Sequence, residues 1–130
     1  MGAPVGKIVW VGRGISILSS LAFLMSGFMK LKGGPEVLQG FEHLGLRETM
    51  MVPLAILELS CVVIYLIPPT AVLGAVLLAG YMGGAILAHW RAGDPFFVQI
   101  VLGLLVWLGL YLREGRLRGL LPLRTPSKQV

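Results

Sequence analysis

The chain has 130 residues, of which 56% are hydrophobic and only 13% are charged, and its mean hydropathy is +0.86. A soluble domain of this size could not bury so much apolar surface, so the composition excludes an ordinary soluble fold. The net charge of +5 is concentrated at the ends of apolar segments, and no basic stretch is interleaved with aromatic residues, so we expect no nucleic-acid partner.

The first apolar segment covers about residues 8–29 and is long enough to cross a bilayer as a helix. Lys7 and Arg13 near its start are typical of the basic region of a signal peptide. No small-residue cleavage site follows, and the apolar run continues to Lys30, so we expect an uncleaved first span.

The segment after this span predicts a short amphipathic helix over about residues 35–46. Pro35 follows two glycines and is typical of a first helical position. Apolar residues spaced by three and four share one face of this helix: Val37, Leu38, Phe41 and Leu44. We expect the helix to lie on the membrane surface or to cap the bundle.

Three further apolar segments predict spans over about residues 49–67, 70–89 and 96–112. Pro68 and Pro69 leave only a tight turn between the first two of these. The alternating pattern of membrane β-strands is absent. The prediction is therefore an all-α fold, a polytopic membrane four-helix bundle, formed by a single membrane domain over residues 1–130 with a basic tail at residues 113–130.

The third span carries two rows of small residues at a four-residue spacing, which lets helices approach closely. The rows are Ala75, Ala79 and Gly83, and Gly80, Gly84 and Ala88. We expect this span to pack against neighbours on both sides. A contact in a homo-oligomer is a secondary interpretation.

The distribution of lysine and arginine predicts the orientation. Four spans place both termini on one side, and that side carries seven basic residues: Lys7, Arg13, Arg113, Arg116, Arg118, Arg124 and Lys128. The other side carries four: Lys30, Lys32, Arg47 and Arg91. The positive-inside rule then predicts that both termini are cytoplasmic.

Glu58 lies in the middle of the second span, where a carboxylate costs about 2.5–3.5 kcal/mol on insertion scales. Tyr81 lies at nearly the same depth on the third span, so we expect its hydroxyl to hydrogen-bond to Glu58. Other polar residues fall in the same outer half of the spans. The candidate ligand-binding or polar-core residues are therefore Ser26, Lys30, Glu58, Tyr81, His89 and Gln99.

Two interpretations of Glu58 stay open. It could belong to a polar pocket that opens outward beneath the amphipathic helix, or it could fix helix packing without a ligand. Because Lys30 lies several residues higher and should reach only part of the gap, we expect desolvation to keep Glu58 largely neutral.

The sequence holds no catalytic motif, and we predict no catalytic residue. Cys61 is the only cysteine and should pack as a small hydrophobic side chain. His43 and His89 lack the spacing of a metal or haem site, so neither a metal nor haem is expected.

Four stretches together resemble the DoxX-like family of small four-helix integral membrane proteins. They are Ser26-Gly27-Phe28-Met29-Lys30-Leu31, Ile56-Leu57-Glu58-Leu59, Gly80-Tyr81-Met82-Gly83-Gly84-Ala85 before His89, and Trp107-Leu108-Gly109 before Arg113. The resemblance implies a bacterial inner (plasma) membrane protein. It connects the chain with subunits of quinone-linked oxidases and thiosulfate oxidation, and with assembly chaperones of membrane receptors, without assigning catalytic roles.

The leading hypothesis from the sequence is a non-catalytic accessory or assembly subunit that docks on a larger, respiratory or redox membrane complex. The alternative is a quinone- or lipid-binding protein with a polar pocket around Glu58. In that alternative, a quinone is the candidate cofactor. A proton-coupled transporter is a third hypothesis, although the chain shows no internal repeat.

Overall fold

The computed structural model describes residues 6–124, and within that range every regular element is helical, without a strand. The predicted all-α class is confirmed for these residues. The helices are α1 (Gly6–Lys32), α2 (Pro35–His43), α3 (Met51–Leu66), α4 (Ala71–Arg91), α5 (Phe97–Arg113) and α6 (Gly115–Arg118). Short 3-10 turns at Glu48–Met50 and Pro68–Thr70 precede α3 and α4.

Glycine and proline set the ends of these helices. Gly33, with φ of 66°, ends α1, and Pro35 begins α2 two residues later. Gly93, with φ of 81°, lies between α4 and α5. A left-handed backbone at these positions favours glycine, because it has no Cβ to clash with the carbonyl oxygen. The helices therefore end and begin at the glycines and prolines of the sequence.

The four long helices pack in a ring. α1 contacts α3 and α5, and α4 contacts the same two helices from the other side. One end of the ring holds the Pro68–Thr70 turn, and we call it the proline end; the opposite end, crossed by α2, is the α2 end. The largest apolar side chains of the shared core that are fully buried are Phe23, Val62, Tyr65, Leu78 and Val106.

Close helix contacts are concentrated at the proline end. A Cβ placed on Gly12 of α1 would lie 2.7 Å from the Gly109 carbonyl oxygen of α5. A Cβ on Gly74 of α4 would overlap the backbone of Tyr65 on α3. These contacts bring helix backbones together, because only glycine leaves the necessary space. The glycines of the small-residue rows on α4 differ from Gly12 and Gly74. A Cβ placed on Gly80, Gly83 or Gly84 would meet no atom of a neighbouring helix within 4 Å.

The outside of the helices is strongly apolar. Large side chains such as Trp10, Leu18 and Met25 are exposed along α1, and the other long helices show the same pattern. Within the described range, three stretches are long and apolar enough to cross a membrane: Gly6–Lys32, Glu48–Leu66 and Pro68–Arg91. Phe97–Arg113 is an apolar helix of 17 residues, about 26 Å long at the standard rise.

The beginning of the predicted basic tail packs against the end of α5. Leu117 is buried, and Arg118 Nη2 donates a hydrogen bond to the Leu112 carbonyl oxygen at 2.6 Å. The hydrogen bond from Arg116 lowers the pKa of Glu114. Lys128 and the remainder of the tail, residues 125–130, lie outside the described range.

Candidate functional site

Glu58 is almost completely buried, with 1% of its surface exposed. It lies on the face of α3 that points into the helix ring, beside the core residue Val62 one turn later. A buried carboxylate needs hydrogen bonds and a compensating charge, because desolvation alone would strongly disfavour its ionised form. Its surroundings supply both.

Three donors from two other helices converge on one carboxylate oxygen of Glu58. Lys30 Nζ lies 2.7 Å from Oε1, and the Tyr81 hydroxyl donates to the same atom at 2.9 Å. The Ser26 hydroxyl donates to it at 3.4 Å and also accepts from Lys30 Nζ at 2.7 Å. The other oxygen, Glu58 Oε2, accepts no hydrogen bond from any residue in the range 6–124. One acceptor of the carboxylate thus stays open to a further donor.

The position of the Lys30 ammonium corrects one expectation from the sequence. Lys30 was expected to reach only part of the way to Glu58, but its Nζ is in direct contact with the carboxylate. The reason is the direction of the side chain. On a helix, Cα–Cβ bonds tilt toward the N-terminus, which for α1 points back into the bundle toward Ser26. This geometry favours an ion pair over the predicted neutral acid.

His89 and Gln99 form a second, separate polar pair. His89 Nδ1 lies 2.7 Å from the Ala85 carbonyl oxygen, so it carries the proton and donates. In a neutral ring this leaves Nε2 as an acceptor for the Gln99 amide, 3.4 Å away. Gln99 Oε1 is buried without a hydrogen-bond partner among the described residues. A buried orphan acceptor of this kind is typical of a site completed by water or a ligand.

All six predicted site residues line a single cavity of about 690 Å³ at the α2 end. This volume falls in the range of small-molecule pockets, roughly 300–1,000 Å³. Most of the wall is apolar, with the polar groups placed at a few points. The apolar wall includes Phe23, Met29, Phe41, Leu54, Leu57 and Leu102. The combination of an apolar chamber and a few convergent polar groups is typical of a ligand-binding site.

Helix α2 covers the open end of this cavity. Phe41 is buried beneath it, while Val37 and Leu44 line the cavity. Two contacts hold the end of α2 to the turn between α4 and α5. His43 Nε2 lies 2.7 Å from Asp94 Oδ1, and Arg91 Nη2 donates to the Leu44 carbonyl oxygen at 2.6 Å.

The sequence analysis missed these contacts, and it also missed a polar cluster at the proline end. The Tyr65 hydroxyl lies 2.8 Å from Ser16 Oγ and donates to the Val106 carbonyl oxygen at 2.7 Å. The Arg113 guanidinium lies 5.3 Å from the Tyr65 ring. The position of Tyr65 inside an apolar span could have indicated this cluster, because a buried hydroxyl group needs a hydrogen-bond partner. These groups satisfy one another, apart from Arg113 Nε, and do not line the cavity.

A double-mutant cycle tests the Lys30–Glu58 pair. Lys30→Met should lower the free energy of unfolding by about 3–5 kcal/mol, because it strands a buried carboxylate. Adding Glu58→Gln should recover most of that loss. Lys32→Met removes an exposed lysine two positions farther along α1 and serves as the control. The free energy of unfolding in mixed micelles is measured for Lys30→Met, Glu58→Gln, the double variant and Lys32→Met. Equal effects of Lys30→Met and Lys32→Met would contradict the pair.

Comparison with known proteins places this architecture in one family. No curated protein and no solved structure matches the chain significantly. The model of the DoxX-like family matches residues 14–110, which include α1 from its third turn, the whole cavity and most of α5. Together with the apolar helices, this match shows that the chain is a small multi-pass membrane protein and belongs to the DoxX-like family.

Proposed function

We propose that this protein binds a small amphipathic molecule, a quinone or a lipid, in the cavity between Glu58 and α2. One observation carries the proposal: Glu58 is buried and charge-paired, lines a cavity of about 690 Å³, and accepts no hydrogen bond at Oε2 from the residues that the structure describes. The polar head of the ligand would donate to this oxygen. Its apolar part would contact the hydrophobic wall.

The polar groups fit the two redox forms of a quinone in different ways. A quinol hydroxyl can donate to Glu58 Oε2, and a charge-assisted hydrogen bond of this kind is about twice as strong as a neutral one. A quinone carbonyl needs donors instead, which Tyr81, His89 or the Lys30 ammonium would supply. In quinone-linked oxidoreduction, Glu58 would accept the hydroxyl proton. The partner enzyme would carry out electron transfer.

A second candidate is the accessory subunit predicted from the sequence, which would dock on a larger membrane complex. The aromatic cluster at the turn between α4 and α5 favours it. The Trp90 and Phe96 rings lie 5.8 Å apart, Phe96 and Phe97 lie 5.7 Å apart, and Trp90 and Phe97 are largely exposed. Exposed aromatic residues of this kind are enriched in protein interfaces and in membrane interface belts. A ligand-binding accessory subunit combines both candidates.

We further propose that four helices span a bacterial inner membrane, with α5 as the fourth. Its 17 residues meet the lower limit of about 17 for a span. Helix α2 would lie at the outer surface as an amphipathic cap, with its buried Phe41 turned toward the bundle. The seven-to-four distribution of basic residues supports cytoplasmic termini.

Reporter fusions test this topology. A reporter fused after Val130 should be active in the cytoplasm, because both termini share the side richer in lysine and arginine. A reporter inserted between Gly33 and Gly34 should be active only outside. The same compartment for both reporters would show an even number of spans between them and would contradict the arrangement.

Thermal unfolding with an added quinol tests the binding proposal. Decylubiquinol at a hundredfold excess over its Kd should stabilise the purified protein by about 2.7 kcal/mol and raise its Tm. Glu58→Gln should weaken this binding about tenfold, because the charged acceptor is lost. Glu42→Gln removes an exposed carboxylate of α2 that does not line the cavity, and it should change nothing.

The results that would contradict the proposal concern either binding itself or its location at Glu58. A Tm that does not respond to decylubiquinol or to added lipid would contradict the proposal. If, in addition, the protein repeatedly leaves gentle detergent with one specific larger partner, the accessory-subunit candidate is supported instead. An equal effect of the Glu58 and Glu42 substitutions would place the bound quinol elsewhere on the protein.

A further inference from the structure

The wall of the cavity includes backbone as well as side chains, at Gly80 and Gly84 on α4. A Cβ built on either glycine would meet no atom within 4 Å outside its own stretch of helix. Both glycines are also exposed at the protein surface. This part of α4 therefore borders an opening and does not pack against a neighbouring helix.

The opposite border of this opening lies on α3. Leu57 lines the same cavity and is 50% exposed, although its neighbour Glu58 is buried. At the proline end α3 and α4 are in backbone contact, where Gly74 meets Tyr65. Two turns farther along α4, the Tyr81–Glu58 hydrogen bond still connects the helices. Beside that bond, Leu57 of α3 and the two glycines of α4 border the same cavity, and a Cβ on either glycine would find open space in this gap.

We propose that this gap between α3 and α4 is a lateral entrance, through which the hydrocarbon tail of a lipid-soluble amphiphile reaches the cavity from the bilayer. The inference rests on the proposed ligand-binding function and specifies how the ligand enters and where its tail lies. The polar head would reach the Glu58 carboxylate, while the tail would pass between Leu57 and the glycines into lipid.

The architecture of the α2 end favours a side entrance. Helix α2 covers the cavity there and is held by the His43–Asp94 and Arg91–Leu44 contacts. An amphiphile with a long tail dissolves in the bilayer, because the burial of each methylene group in lipid is favourable. The gap lies among the apolar faces of two membrane-crossing helices and so opens toward the bilayer.

The glycines themselves are consistent with a functional opening. Glycine in a helix interior costs stability relative to alanine. Gly74 offsets this cost through its contact with the Tyr65 backbone, but no such contact exists at Gly80 or Gly84. A side chain at either position would project into the gap. The alternative occupant of the gap is a second copy of this chain, which would use the same glycines for close packing.

Photolabelling from lipid tests the entrance without requiring the natural ligand to be known. The protein is placed in phosphatidylcholine vesicles that contain palmitic acid with a diazirine near the end of its chain. After irradiation, adducts are mapped by mass spectrometry. Phe23 lines the cavity and is only 1% exposed, so a chain labels it only from inside. Leu18, which is 68% exposed, provides the internal reference.

We expect Phe23 adducts in the wild type and about a tenfold loss, relative to Leu18, in Gly84→Leu and Gly80→Leu. Gly83→Leu is the matched control. A Cβ at Gly83 also meets open space, but Gly83 does not line the cavity, so its variant should label like the wild type. All three substitutions leave the Glu58 hydrogen bonds in place.

Three outcomes would overturn the entrance. They are equal Phe23 labelling in all variants, no Phe23 labelling in the wild type, and a change in oligomeric state that is confined to Gly80→Leu and Gly84→Leu. The last result would identify the gap as a contact between copies. Decylubiquinol binding in micelles remains an independent test of the proposed function. A wild type that binds the quinol but shows no labelling at Phe23 would remove only the entrance.

Discussion

The need to compensate one carboxylate inside an apolar bundle determines the structure around the cavity. Glu58 can be ionised there only with a cation and hydrogen-bond donors nearby, and these come from two neighbouring helices. Lys30 and Ser26 bring α1 to the site, and Tyr81 brings α4. The three helices are thereby held at the same depth. The donors from these residues all use Oε1, and Oε2 accepts no hydrogen bond within residues 6–124.

The two ends of the helix ring have different roles. At the proline end, Gly12 and Gly74 permit close helix contacts, and the Tyr65 hydroxyl finds both of its partners inside the protein. At the α2 end, Gln99 Oε1 has no hydrogen-bond partner within residues 6–124, and the helices separate around a cavity. Tight packing at one end allows this looser arrangement at the other, because the ring is already held together there.

The sequence predicted the all-helical class and the hydrogen bond between Tyr81 and Glu58, because hydropathy, helix breakers and the helical rise are local properties. It could not predict the reach of Lys30, which depends on side-chain direction and helix tilt. It also assigned the glycines of α4 to helix packing, whereas Gly80 and Gly84 border the cavity. Spans that are apolar on every side carry little periodicity to show which face meets a neighbour. The contacts of α2 with Arg91 and Asp94 could not be predicted for the same reason, because they depend on which helix faces meet.

The central claim is that Glu58 and Lys30 form an ion pair inside the bundle. Infrared difference spectroscopy of the wild type against Glu58→Gln measures this directly, because ionised and protonated carboxyl groups absorb in separate bands. We expect the substitution to remove the symmetric and antisymmetric carboxylate bands of one buried group. Loss of a protonated carbonyl band in its place would show that Glu58 is neutral and would contradict the account.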